Sequence, residues 1–347
     1  MPDEARGSVH VGGTSQDIID TALTLIAARR RHVIDTLLTR TGDAAAVLAE
    51  THRRTVMAGR TLLQHALPIT FGLKAAQWLA GIGEARNLLR QHKLTIQFGG
   101  AAGTLASVGS TETAATMRAE FARRLGLVTS LVPWHTNRVR TADLGATLAI
   151  VCGTLAKVAL DVELLMQTEV GEVFEGAAIG KGESSTLPHK RNPVSAVSIR
   201  AAHHQAVALA GSLLGSMAHE HERAAAAWQA EWEPLLGLLR LAEGSASQAA
   251  DMVEGLEVDG ERMRANLDMT DGRMLGEAVV SALRPTLGRE RAEAIVKDAA
   301  AKPGPLRTNL ARVPQAAALG DAPFDPANYL GSTDSFIDHI VADWSNL

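Results

Sequence analysis

Residues 141–169 read TADLGATLAIVCGTLAKVALDVELLMQTE. Within them Leu144, Leu148, Val151, Leu155, Val158, Val162 and Leu165 recur at alternating spacings of four and three. That spacing places all seven on one stripe of a helix, a seam about four heptads long. A helix near 30 residues exceeds the globular mean, and several of them in one chain predict a long helical bundle.

The rest of the chain supports an all-α reading. Aliphatic residues and alanine dominate, and aromatics make up only 3%. Thr14 with Asp17 three positions on predicts a helix start, running to about Arg40 and stopped by Gly42. A second helix follows over 43–55. Gly59, Pro68 and Gly72 punctuate the next stretch, which reads as a connection between helices. Helices are then expected over 73–92, 112–125, 193–225 and onward to about 252, with Pro234 near a turn. Shorter helices over 260–268, 273–286, 288–301 and 334–345 suggest a separate C-terminal helical domain. The expected organisation is residues 1–13 as the remnant of an N-terminal domain, 14–254 as the central bundle and 255–347 as the small domain.

Charge and composition exclude several classes. The formal net charge is −4 with interspersed signs, so no nucleic-acid or membrane-surface partner is expected. Arg29, Arg30 and Arg31 read as a solvated helix face. No signal peptide and no membrane-spanning apolar run is visible, so a cytoplasmic protein is expected. The single cysteine, Cys152, lies in the apolar seam region and reads as a small buried hydrophobe. No Cys/His cluster has zinc spacing, and no Gly-rich nucleotide loop follows a strand.

Three polar islands interrupt the apolar pattern: His10–Asp17, Gly59–Gly72 and Gly180–Asn192. The third follows Gly171, Gly176, Gly180 and Gly182, a glycine density that predicts a mobile loop. It delivers Ser184, Ser185, His189, Lys190, Arg191 and Asn192 to a helix start at Pro193, an arrangement suited to an anion site under a lid.

The islands His10-x-Gly12-x-Thr14-Ser15-Gln16-Asp17-x-x-Asp20-Thr21, Gly59-Arg60-Thr61-x-x-Gln64 and Ser184-Ser185-x-x-Pro188-x-Lys190-x-Asn192-Pro193 resemble, in order, the three signature regions of the fumarase/aspartase superfamily. Within it the resemblance is greatest to the bacterial 3-carboxy-cis,cis-muconate cycloisomerases. Softer support comes from Thr14–Thr21, Gln97–Ser107, Trp134–Arg138, His221–Trp232 and Phe324–Asp338. The resemblance implies a homotetramer with a 20-helix core, active sites each built from three subunits, and no cofactor. It implies a small polycarboxylate substrate and reversible addition across an activated double bond through an aci-carboxylate intermediate.

The same resemblance assigns roles. Ser184 matches the catalytic serine that moves a proton next to a carboxylate. Because a free serine is a weak base, the developing oxyanion needs strong stabilisation, and Lys190 sits in the matching position to give it. Asn192 is expected to donate to a carboxylate. Thr14, Ser15 and Gln16 match substrate-binding positions at a helix N-terminus. Arg223 is expected to bind a carboxylate, with His10, His135 and Arg138 as further contacts. His189 is a weaker candidate, and His65 reads as structural.

Three departures bear on the chemistry. Fumarases and the lyases that release a nucleophile carry a His directly after Gly-Arg-Thr, and here that position is Leu62. Leucine cannot shuttle a proton, whereas a carboxylate leaving group, with a pKa near about 4, needs none. Leu62 therefore favours cycloisomerisation over a lyase such as adenylosuccinate lyase, although the resembling cycloisomerases carry a bulky aromatic there. Glu183 replaces the usual Gly before the tandem serines. Only about a dozen residues precede the first motif, so a missing or vestigial N-terminal domain is expected. The functional expectation is the lactonisation of 3-carboxy-cis,cis-muconate to 4-carboxymuconolactone in protocatechuate catabolism. The alternative is a truncated, inactive bundle that only assembles.

Overall fold

A computed structural model describes residues 9–176, 182, 186, 187 and 189–346. In chain order the helices are α1 (Ser15–Thr51), α2 (Phe71–Gln91), α3 (Thr111–Leu125), α4 (Val139–Met166), α5 (Val194–Gly215), α6 (Ala227–Ala230), α7 (Trp232–Glu254), α8 (Gly260–Leu267), α9 (Gly276–Leu287), α10 (Arg289–Ala300), α11 (Leu306–Ala311) and α12 (Thr333–Ser345). The described strands are short: β1 (Val56–Thr61) pairs antiparallel with β2 (Gln64–Thr70), and β3 (Val173–Phe174) with β4 (Glu257–Val258). The fold is all-α, as expected.

The chain divides into two compact units. The first takes the chain up to Thr41 with Glu84–Leu160 and Ser195–Asp251. Its core is the helical seam: Leu144, Leu148, Val151, Leu155 and Val158 of α4 are all buried. Glycines let the helices close up. A Cβ on Gly145 would stand 2.4 Å from Leu213 of α5, and one on Gly237 of α7 would stand 2.7 Å from Leu209. Cys152 is buried here, and burial pushes its thiol up to about 11.

The second unit comprises Gly42–Gly83, Asp161–Val194 and Met252–Leu347. Val279, Leu283, Ala292, Val296, Leu306 and Leu310 form one of its cores. A second gathers Ala58 of β1 with Leu267, Met274 and Leu275. Val162 and Leu165, at the end of the α4 seam, are buried in this unit.

Three expectations about elements need correction. Gly42 does not stop the first helix, because α1 runs unbroken for 37 residues. One glycine costs a helix only about 1 kcal/mol, and this one is needed: a Cβ would stand 2.2 Å from the Trp344 ring. The stretch around Gly59–Gly72 is a hairpin rather than a plain connection. Gly59 sits at a register shift, where a Cβ would come within 2.7 Å of the Leu67 carbonyl. Helix α5 ends at Gly215, ten residues before the expected end, because Ala218 instead pairs with Asn137. Tertiary pairing overrides the helix propensity of that Ala-rich run.

Candidate active site

In the first unit, helix α1 opens with a side-chain cap. The Thr14 amide donates to Asp17 Oδ2 at 3.0 Å. The same carboxylate accepts from Gly100 N at 2.9 Å, and from Gly99 N and Gln97 Nε2 at 3.0 Å each, and Oδ1 lies 2.8 Å from His135 Nε2. Burial alone would raise the Asp17 pKa. The bonds from His135, Gln97 and the Gly100 amide outweigh it and hold the carboxyl below its usual range. Asp17 thus fastens the 97–100 loop and the 134–138 segment to the start of α1.

One helical turn on, Asp20 does the same for a second set of elements. It accepts from both terminal nitrogens of Arg138 (2.8 and 3.1 Å), from Trp228 Nε1 (2.9 Å) and from Gln16 Nε2 (3.1 Å). Arg138 also grips Glu231 through Nε at 3.0 Å and through a terminal nitrogen at 2.5 Å, with its guanidinium over the Trp134 ring. Asp20, Arg138 and Glu231 are each 3% exposed or less, so this is a buried ion triad. The His219 imidazole stands 3.3 Å from Glu231.

Three of the residues expected to contact substrate are engaged inside the protein. The N–H groups of Arg138 are used on Asp20, Glu231 and the His135 carbonyl. His135 is buried against Asp17, and the Gln16 amide donates to Asp20 and the His135 carbonyl. Gln16 Oε1 is buried and accepts no hydrogen bond among the described residues.

Thr14, Ser15 and Arg223 do come together. The Arg223 guanidinium donates to Thr14 Oγ1 and reaches Ser15 Oγ at 3.4 Å. Two hydroxyls, a guanidinium and the free N–H groups at the start of α1 make a patch suited to a carboxylate. His10 is exposed nearby in sequence, with its carbonyl accepting from Gly13 N at 3.1 Å. A cavity of about 590 Å³ in the same unit is lined by Lys93, Thr147 and Arg140, and by none of the expected site residues.

The third motif belongs to the second unit. Ser184 lies outside the described residues, as do 177–181, 183, 185 and 188 of the stretch expected to form a mobile loop. Lys190 is exposed, and its amide donates to the Leu187 carbonyl at 3.0 Å. Asn192 bonds the Gly182 carbonyl through both its amide (2.9 Å) and Nδ2 (3.1 Å). In the second motif, Arg60 makes a two-point pair with buried Glu172 at 2.9 and 2.6 Å. His65, on β2 beside it, is held below the usual imidazole range by burial and by Arg60.

The model of the family described as Lyase matches residues 2–208. The nitrosuccinate lyase of Streptomyces davaonensis is 45% identical over 96% of this chain and 74% of its own. The 3-carboxy-cis,cis-muconate cycloisomerase of Pseudomonas aeruginosa is 43% identical over 98% of this chain and 76% of its own. This chain belongs to the lyase family.

It is an enzyme of the fumarase/aspartase superfamily. Among solved structures, the 3-carboxy-cis,cis-muconate lactonizing enzyme of Pseudomonas putida superimposes on this lyase-family chain with a TM-score of 0.91. That match has 39% identity and covers 99% of this chain and 78% of the other. The internal bonds of this region run through Gln97, Trp228 and Glu231, and through Asp17 and Asp20, which the sequence reading quoted in the first motif without a site role. Their signal is an acidic pair one turn apart on a helix whose later residues turn apolar, which only a partner 100 or more residues away makes meaningful.

Proposed function

We propose that this enzyme is a 3-carboxy-cis,cis-muconate cycloisomerase. Four relatives of 37–43% identity bearing that name support the substrate, and the observation that carries the reaction class is Leu62. It stands at the β1–β2 turn, 97% exposed, where related lyases that protonate a leaving group carry a histidine. A hydrocarbon there matches a reaction in which the group that leaves or attacks is a weakly basic carboxylate. One carboxylate oxygen of the substrate forms a bond to a ring-forming carbon. The double-bond electrons move to the neighbouring carbon, and its carboxylate takes them up as the aci form. Lys190 stabilises that charge, and the Ser184 hydroxyl delivers the proton to the carbanion and regains one from water. The Thr14, Ser15 and Arg223 patch supports binding of another substrate carboxylate.

The oligomer expected for this reading is a homotetramer whose sites draw on more than one subunit. Exposed Ile18, Ile150, Val197 and Val207 on the long helices support assembly with further copies.

A second reading is elimination of nitrite from nitrosuccinate, favoured by the 45% identical relative. Nitrite is also a weakly basic leaving group, so Leu62 suits it equally. Here Ser184 takes the proton next to a carboxylate, the C–N bond breaks and nitrite leaves with the electron pair. Purified protein and Ser184→Ala, given each substrate, separate the readings. Loss of the conjugated-diene absorbance, abolished in the variant, supports cycloisomerisation. Nitrite release instead supports elimination, and turnover of neither substrate by a folded oligomer overturns both.

A further inference from the structure

Arg191 lies between the two described active-site residues of the third motif, Lys190 and Asn192, and neither reading gives it a role. Its guanidinium meets Glu257 at two points, 2.8 Å each, and donates to the Glu175 carbonyl at 2.6 Å. It lies over the Phe174 ring, 4.8 Å from the centroid. Phe174 and Glu257 are register partners across the β3–β4 ribbon. One side chain thus holds both strands of the ribbon and the backbone just beyond it.

The ribbon is itself tied to the second motif. The Asp259 amide, just past β4, donates to the carbonyl of Glu172, just before β3, at 3.0 Å. The Glu172 carboxylate is fully buried and accepts from Arg60 of the second motif and from Asn266 Nδ2 at 2.7 Å. Arg60 therefore meets the residue just before β3, and Arg191 meets both strands and the residue just after β3. Asn192 closes the stem through its two bonds to Gly182, which has φ +76° and no room for a Cβ, since one would lie 2.8 Å from the Asn192 carbonyl.

We infer that Arg191 is a positioning residue. By clamping the β3–β4 ribbon it sets where Lys190 and Asn192 present their side chains, and through Glu172 it ties that placement to the second motif. The Arg191–Glu257 pair is substantially solvent-exposed, with side chains 38% and 50% accessible. Exposed pairs add little to stability. A two-point pair, a carbonyl contact and a ring face together fix geometry, a task for which arginine is better shaped than lysine.

The catalytic half of the test rests on Lys190 acting as the carboxylate-holding cation, so a second readout is independent of turnover. Arg191→Ala, Arg191→Lys, Glu257→Ala and the double Arg191→Ala/Glu257→Ala variant are compared in the full chain. Cleavage after Lys190 by a lysine-specific protease under native conditions is expected to rise about tenfold in Arg191→Ala and Glu257→Ala, because the stem opens more often. The double variant is expected to match the singles rather than exceed them, and Arg191→Lys, which adds a lysine beside the cleaved bond, is compared in turnover only, where it is expected to fall between wild type and Arg191→Ala. With whichever substrate the wild type turns over, kcat is expected to fall by at least about tenfold, from misplacement of Lys190, with little change in melting temperature. Unchanged cleavage in both single variants, or additive effects in the double, would overturn the clamp. If the wild type turns over neither substrate, the functional reading fails while the cleavage rates still decide the clamp.

Discussion

Nε2 of His135 lies 2.8 Å from Oδ1 of Asp17, and both side chains are buried. The two residues are 118 positions apart, and their contact brings the 134–138 segment onto the first turn of α1. A carboxylate holding five donors is a poor place for an amide. Asp17→Asn must turn at least one N–H toward a donor and is expected to destabilise the unit by about 2–3 kcal/mol. Denaturant titration of the two proteins measures this.

The same carboxylate makes a prediction in pH. Its folded pKa is depressed, so its contribution is fully present above the unfolded value near about 4 and is lost as pH falls through the folded value. Below about pH 4 the wild type is expected to lose stability more steeply than Asp17→Asn, and from pH 5 to 7 the gap between them is expected to stay constant. A gap that widened on acidification would contradict the assignment.

Arg138 sits between Asp20 and Glu231 in a buried site. Removing it leaves two buried carboxylates without the guanidinium between them, so Arg138→Ala is expected to cost about 3–5 kcal/mol or to prevent folding. Arg138→Lys is expected to recover only part, because one ammonium cannot make two-point contacts to both acids. Thermal melts of the three proteins check the order.

Arg223 differs because it contacts hydroxyls at the mouth of α1 and is only partly buried. Arg223→Ala is expected to leave the melting temperature within a few degrees and to raise KM for the substrate by about tenfold or more, the loss of one charge-assisted contact worth about 1.5–3 kcal/mol. Steady-state kinetics on the substrate identified by the Ser184→Ala comparison test it. An unchanged KM would remove Arg223 from the binding patch.

Gly42 has the opposite preference from an ordinary helix glycine. Alanine normally gains about 1 kcal/mol there, but here its Cβ meets the Trp344 ring, whose Nε1 also donates to Asp43 Oδ1 at 2.8 Å. Gly42→Ala is expected to destabilise by about 1–3 kcal/mol, the usual range for overpacking. Trp344→Leu in that background is expected to recover part of the loss, as a double-mutant cycle would show.

The β1–β2 turn carries stored strain. Leu62 and Leu63 both adopt left-handed backbone, at φ 49° and 64°, where a two-residue hairpin prefers Asn-Gly. Replacing the pair by Asn-Gly is expected to raise stability by about 1–2 kcal/mol, read as a higher melting temperature. The leucines' exposure means no packing within the chain is lost.

The sequence alone determined the helical architecture. The four–three spacing from Leu144 to Leu165 is a local property of one helix, and every seam residue is buried as it predicts. The Thr14–Asp17 cap is likewise local, spanning three residues. What the tertiary structure decided are relations between residues far apart in the chain. Gly42 stays helical because of Trp344, 302 positions on, and Gly59–Gly72 becomes a hairpin because Gly59 can take a bulge. Helix α5 stops at Gly215 because Ala218 finds Asn137. The same holds for the site. Arg138 and His135 have the composition of ligand-binding residues, yet buried acids 100 or more positions upstream claim them. Charge and hydrogen-bonding capacity are written in a residue's type, but whether that capacity is spent inside the protein or left for a ligand depends on which partner the fold brings within 3 Å.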